Sequence, residues 1–385
     1  MENDKKWVAC WGNATSIHDQ TEMHFAKNLT VRYPIRMVFS GSALRLHFSN
    51  ISGSEAVHFT ASIARSEGKR RIDPDTVIPI TRDGEEVLTI EAGEEIVSDV
   101  IPMDVRAGEY LSVSLYMEDY TDMNAAVLIT GCLSRGYYAY GNYRDQADFK
   151  NDDGRNTHWY YFLNTIDIYT DSTNRAFICY GDSITAQDWP DELAQMLWKE
   201  GHRDVAVIRR AISGTRILRE YSCITYAAYG RKGEFRFARE METAGADTVL
   251  IQHGINDIIH PVGIETNIFR PWSDLPKASE MADGYARIYI EEARRRGYAV
   301  YGGTLLPIAG WRTYADFREK LKNEFNDWLR TTDLLDGCVD FDKAVRDEEH
   351  PECFRNEYDS GDHLHPSLEG YTAMADCVME ALFRK

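Results

Sequence analysis

Ser183 stands in the stretch Ala176-Phe-Ile-Cys-Tyr-Gly-Asp-Ser-Ile-Thr185, where an apolar run ends in a glycine and then a hydroxyl. A serine hydroxyl is a weak nucleophile near neutral pH and becomes reactive beside a base that takes its proton. Imidazole is the usual base. Near the far end of the chain, Gly361-Asp-His-Leu-His-Pro366 offers one at His365, and Asp362, three residues earlier, can accept the other ring N–H. The same segment holds a rival pair, Asp359 and His363, and spacing alone does not choose between the two. A hydroxyl adding to a carbonyl also needs donors aimed at the developing oxyanion. Ser213-Gly214-Thr215 and Gly254-Ile-Asn256-Asp257 can supply a backbone N–H at Gly214 and a side-chain amide at Asn256, beside the N–H of Ser183 itself. These residue types suit acyl transfer, whereas a lone Gly-Asp-Ser would signify only a capped turn.

Elements must bring these distant stretches together. Phe177 to Tyr180 is a short apolar run bounded by turn residues, the pattern of a strand covered on both faces. Further strands are expected at Val205 to Arg209, Thr248 to Gln252, Tyr298 to Thr304 and Gly337 to Phe341, with helical segments between them. Pro190 and the acidic pair after it suit the first turn of a helix. Tyr371, Met374, Ala375, Val378, Met379 and Leu382 make one helical stripe, which reads as core. Strands alternating with helices predict a parallel sheet with helices on both faces, a three-layer α/β/α domain over 175–385. Its Ser183, Gly214 and Asn256 loops would then leave the same sheet edge.

The first 170 residues have a different texture. Leu44-Arg-Leu-His-Phe-Ser-Asn, Glu86-Val-Leu-Thr-Ile-Glu and Tyr110-Leu-Ser-Val-Ser-Leu-Tyr alternate apolar and polar residues, and turn clusters separate them. A β-sandwich or jelly roll is expected, closed by a strand from Trp159 to Tyr169, with Asp171-Ser-Thr-Asn as a polar joint. Gly136-Tyr-Tyr-Ala-Tyr-Gly-Asn-Tyr reads either as a loop reaching toward the site or as an amphipathic strand pair.

The motifs together resemble the SGNH (GDSL-like) hydrolase superfamily of esterases, lipases, thioesterases and carbohydrate acetylesterases. Gly181-Asp182-Ser183-Ile184, Gly214, Gly254-x-Asn256-Asp257 and Asp362-x-x-His365 are similar to its four motifs, in order, with Ile184 where leucine is more frequent. The resemblance implies a flavodoxin-like sheet, Ser183 as nucleophile, His365 as base and Asp362 as its acidic partner. It also implies Ser183, Gly214 and Asn256 as oxyanion donors, and it prefers His365 over His363. The amino-terminal region, with Leu44-Arg-Leu-His-Phe-Ser-Asn and Ser98-Asp-Val, is similar to the β-domain of two-domain bacterial members that include glycan esterases. The resemblance therefore implies a short-chain O-acetyl carbohydrate esterase that needs no cofactor. Lysophospholipase, general lipase or thioesterase activity is an alternative, and so is a glycan-binding protein with a decayed site.

Other residues have plainer readings beside the chemical ones. Trp189, Trp272 and Trp311 lie in or beside loops expected at the catalytic edge, where an indole can stack on a sugar; core packing or a homo-oligomer contact are the other readings. Arg216 and His260 are candidate pocket residues, and Asp257 a candidate helix cap. No His-Glu-x-x-His spacing suggests a metal. The seven cysteines are scattered, with no Cys-x-x-Cys. A net charge of −19 argues against nucleic acid or an anionic membrane surface as partner. With no apolar leader or membrane span, a cytoplasmic location is expected.

Overall fold

A computed structural model of the chain describes residues 4–17, 25–150, 153–220, 230–262 and 272–384. The chain divides into two compact units: Met1–Ala176 with His202–Ile208 and Thr243–Gly245, and Phe177–Gly201 with Arg209–Glu242 and Ala246–Lys385.

The first unit is antiparallel β structure. One sheet runs Lys5–Gly12, Leu163–Asp171, Gly41–Ser49, Ile101–Val105; the other runs Arg155–Thr157, Gly136–Tyr140, Leu29–Arg36, Tyr110–Met117, Val57–Ser66, Ile78–Ile80. Alternation along each strand turns Leu44, Leu46 and Phe48 of the first sheet and Phe59, Ala61 and Ile63 of the second inward, all of them buried. Phe48 and Phe59 meet edge-on at 5.5 Å, and Phe59 stacks on Phe162 at 5.3 Å. The expected closing strand is broken into Trp159–Tyr161 and Leu163–Asp171. Phe162 causes the break, because its φ of 61° cannot continue a pleat. The tyrosine-rich tract resolves as a strand, with Tyr137 opposite Arg32 and Asn156.

Burial on both faces of Leu29–Arg36 has a specific cause. Arg32 is fully buried, and its guanidinium donates to Ser114 Oγ and to the carbonyls of Arg70, Tyr143 and Gln146 at 2.6–2.9 Å. Phe149 lies under the same group, 4.9 Å from its ring centre. Burial lowers the Arg32 pKa to about 10, against the pull of Asp148 and Asp145. The cation thus fastens the 141–149 segment over the strand.

The second unit carries most of a parallel sheet, to which Arg175, Ala176 and residues 205–208 of the first unit also belong. Its strands are β1 (Arg175–Gly181), β2 (Val205–Ala211), β3 (Ala246–Gln252), β4 (Ala299–Gly303) and β5 (Gly337–Val339), in the spatial order β2-β1-β3-β4-β5. The β3–β4 and β4–β5 pairings are parallel. Helices Trp189–Glu200, Gly233–Glu240, Ala278–Tyr285, Asp316–Thr331 and Leu368–Leu382 lie along the connections and after β5. Phe177, Ile178 and Cys179 are buried, as a strand covered on both sides requires. This is the flavodoxin-like order, in which ligands bind at the carboxyl ends of the strands, where the winding reverses beside β1 and β3. Among the described residues, no helix is long and apolar enough to cross a membrane.

Candidate functional site

β1 ends at Gly181, and only glycine fits there. A Cβ at this position would lie 2.3 Å from Thr185 Oγ1 and 2.5 Å from the Gln252 carbonyl of β3. The chain turns at Asp182, whose Oδ1 accepts the Ile184 N–H and so caps the short helix Ser183–Ala186. Ser183 is left half-buried on the first residue of that turn.

Ser183 Oγ lies 2.9 Å from His365 Nε2, and His365 Nδ1 lies 2.7 Å from Asp362 Oδ2. Asp362 Oδ1 accepts the N–H groups of Leu364 and His365 at 2.9 and 2.8 Å. Partial burial alone would raise the Asp362 pKa. Bonds from the His365 ring and N–H outweigh it and hold the carboxylate well below its usual range. An ionised carboxylate can only accept, so Nδ1 carries the ring proton and Nε2 faces the serine with its lone pair. Ser183 donates to it. The rival pair forms too, Asp359 Oδ2 lying 2.5 Å from His363 Nδ1, but it is His365 that reaches the serine.

The loop after β2 passes through Gly214 at φ 75°, in the left-handed region. Ile212 N–H donates to the Gly181 carbonyl at 3.2 Å, joining this loop to the end of β1. Asn256, on helix Ile255–Ile259 after β3, donates through Nδ2 to the Thr215 carbonyl at 3.2 Å. Ser183, Gly214 and Asn256 thus come from three neighbouring strand ends.

Thr215 is held from a second side. Its hydroxyl donates to the Ile212 carbonyl at 2.8 Å and lies 3.0 Å from His253 Nε2. A hydroxyl has one hydrogen, so towards His253 it accepts, and Nε2 carries the imidazole proton. Nδ1 then accepts from Tyr289 Oη at 2.7 Å. Burial pushes the His253 pKa well down, with Arg236 adding to it, and the ring is neutral as this chain requires. Arg236, paired with Glu240 through both carboxylate oxygens, donates to the Gly181 carbonyl at 2.7 Å. Sequence reasoning missed His253 and Arg236. The signal for the first was a polar Gln252-His253 ending an otherwise apolar strand.

Two buried carboxyls flank this frame. Asp182 is fully buried, and its Oδ2 has no hydrogen-bond partner. Burial raises its pKa to about 7 despite the Ile184 N–H and nearby His365 and Arg236. Asp257, expected as a helix cap, does not cap its own helix, which begins at Gly254 without a side-chain bond. It instead accepts the N–H groups of Ile217 and Leu218 at 2.7 and 3.0 Å, tying down the loop after Gly214.

The expectation for Trp189 needs correction. Trp189 is fully buried and packs against Phe341 at 5.4 Å, because it begins a helix whose inner face it shares with Leu193 and Leu197. It cannot touch a substrate. Trp272 is exposed and packs on Phe317 at 4.8 Å. Trp311 is half-buried, with the Arg312 guanidinium 4.7 Å over its ring. His260 is buried and accepts through Nδ1 from Arg216, also buried, at 2.9 Å. Burial and the charge of Arg216 push the His260 pKa well down. Among the described residues, no group of three or more His, Cys, Asp or Glu side chains could hold a metal ion.

Residues 179–373 match the model of the GDSL-like Lipase/Acylhydrolase family. No curated protein matches the chain. Among solved structures, a family two carbohydrate esterase from Clostridium thermocellum is 13% identical, with 100% of this chain and 99% of that one covered, at a TM-score of 0.38. An acetyl xylan esterase is 19% identical over 54% of this chain and 100% of that one, at 0.40. An acetyl-xylooligosaccharide esterase from Geobacillus is 15% identical over 54% and 93%, at 0.39.

Proposed function

The chain belongs to the GDSL-like lipase/acylhydrolase family, and from that premise we propose a serine esterase that removes short acyl groups, most notably O-acetyl groups from carbohydrate, through an acyl-enzyme. The observation that carries the proposal is the continuous chain from Ser183 Oγ to His365 to Asp362, at 2.9 and 2.7 Å. In this scheme His365 Nε2 takes the serine proton as Oγ attacks the ester carbonyl. The imidazolium so formed is stabilised by Asp362, whose charge is secured by its three N–H donors. The tetrahedral oxyanion is met by the N–H groups of Ser183 and Gly214 and by Asn256 Nδ2, whose second hydrogen is not the one given to Thr215. His365 then protonates the departing alcohol, and water, activated by the same ring, releases the acid. No cofactor is needed for any of these steps. The carbohydrate alcohol rests on the likeness of the amino-terminal β region to that of two-domain glycan esterases.

The test is hydrolysis of an aryl acetate by the wild type and by Ser183→Ala, followed by the same assay on octanoyl ester and acetylated xylooligosaccharide. Turnover should fall by about 10⁴-fold or more in the variant, and acetyl should be preferred to octanoyl. Binding of oligosaccharide without turnover by the wild type would overturn the esterase reading, and preference for octanoyl would overturn the deacetylase one.

A further inference from the structure

The segment that carries His365 contains a second imidazole built on the same plan. Asp359 Oδ1 accepts the N–H groups of Gly361 and His363 at 2.8 and 3.1 Å, and its Oδ2 receives His363 Nδ1. Nδ1 therefore holds the ring proton, and Nε2 presents a lone pair. In His365 that lone pair is taken by Ser183. The His363 side chain is instead 48% exposed.

Two further observations indicate a purpose beyond closing the loop. His363 has a φ of 63°, in the left-handed region that non-glycine residues adopt uncommonly, histidine more often than most. The ring also lies against Gly310: a Cβ there would come 2.6 Å from His363 Cγ. Gly310 and Trp311 belong to the connection between β4 and helix Asp316–Thr331, which leaves the same carboxyl edge as the Ser183 and Asn256 loops. Thr313 Oγ1 and the Arg318 guanidinium donate to the carbonyls of Ile259 and Ile258, binding that connection to the segment after Asn256. An oriented acceptor thus stands against Gly310, the chain neighbour of Trp311, two residues from the proposed base.

We propose that His363 is a specificity-determining residue: its Nε2 accepts a hydroxyl hydrogen from the alcohol part of the ester and so favours polyhydroxylated, carbohydrate-like alcohols. This inference rests on the esterase reading above and names the side of the substrate that His363 reads. It requires no contact with the acyl group.

His363→Gly removes the ring and relieves the backbone, and His363→Asn keeps a residue that tolerates the conformation but cannot reach as far. Both are assayed as full chains on aryl acetate, which has no second hydroxyl, and on acetylated xylooligosaccharide. Loss of one neutral hydrogen bond to substrate predicts kcat/KM on the oligosaccharide lowered about 3- to 10-fold, mostly through KM. On aryl acetate both variants should stay within about 2-fold of wild type. Equal loss on both substrates, or loss on neither, overturns the proposal while the wild type still hydrolyses aryl acetate. A wild type inert on aryl acetate overturns the esterase reading instead.

Discussion

Replacing Asp182 by asparagine separates the charge of this buried group from its capping role. Oδ1 would still accept the Ile184 N–H, while the amide NH₂ would take the place of Oδ2, which has no partner. In the folded wild type the carboxyl is raised from 3.8 to about 7, chiefly by burial. The folded state thus keeps a proton that the unfolded chain releases near 4. Stability is full below that pH, falls as pH rises through the window from about 4 to 7, and stays reduced above it. Three units at about 1.4 kcal/mol each give a loss of about 4 kcal/mol. Asparagine has no such loss, only a pH-independent cost of about 1–3 kcal/mol for its unpartnered amide. Asp257, raised to about 6 mainly by burial, is present in both proteins and drops out of the difference apart from its weak repulsion of Asp182. The assay is urea unfolding between pH 4 and 8.5, read from hydrogen-exchange protection in peptides covering β1. The wild type should lose about 4 kcal/mol relative to the variant across this range. Parallel curves for the two proteins would refute a neutral Asp182 at the end of β1.

Two further outcomes bear on the same frame. Asp362→Asn turns an amide N–H toward His365 Nδ1, which favours the other tautomer and denies Ser183 its acceptor; kcat on aryl acetate should fall about 10⁴-fold with KM little changed. Thr215→Val removes the hydroxyl between Ile212 and His253, leaving a buried N–H unmet and loosening the peptide next to Gly214. We expect kcat lowered on the order of 10-fold, unchanged KM, and recovery in Thr215→Ser.

What could be read from the sequence was what local pattern encodes. Apolar runs bounded by turns marked all five strands of the parallel sheet, and the resemblance to the family's motifs, rather than spacing alone, singled out Ser183, Asp362 and His365. For Trp189 the core-packing reading is the one that holds, and Pro190 and Asp191 are its signal, since they place the indole at a helix start whose inner face is buried. Phe162 breaks its strand through a backbone angle that no residue type announces. Thr215, His253 and Tyr289 are separated by 38 and 36 residues, so their bonds arise only once β2 and β3 flank β1. Asp257 likewise serves a loop about 40 residues away rather than its own helix. Asp359 and His363 are legible as a pair, but that the serine bonds to His365 and not to His363 emerges only in the fold.

The pairing of Lys5–Gly12 with Leu163–Asp171 has a bearing on how the polypeptide is made. Lys5–Gly12 has that late segment as its sheet partner, roughly 150–165 residues downstream. At about 5–20 residues per second, it waits on the order of 10–30 s. Val8, Ala9 and Cys10, sealed in the finished protein, are meanwhile open to water and to other nascent chains. The sheet that holds Lys5–Gly12 thus gains that strand's partner late in the amino-terminal region, and Ala9 finds its further bond to the Ala244 carbonyl only after Ser183 has been made.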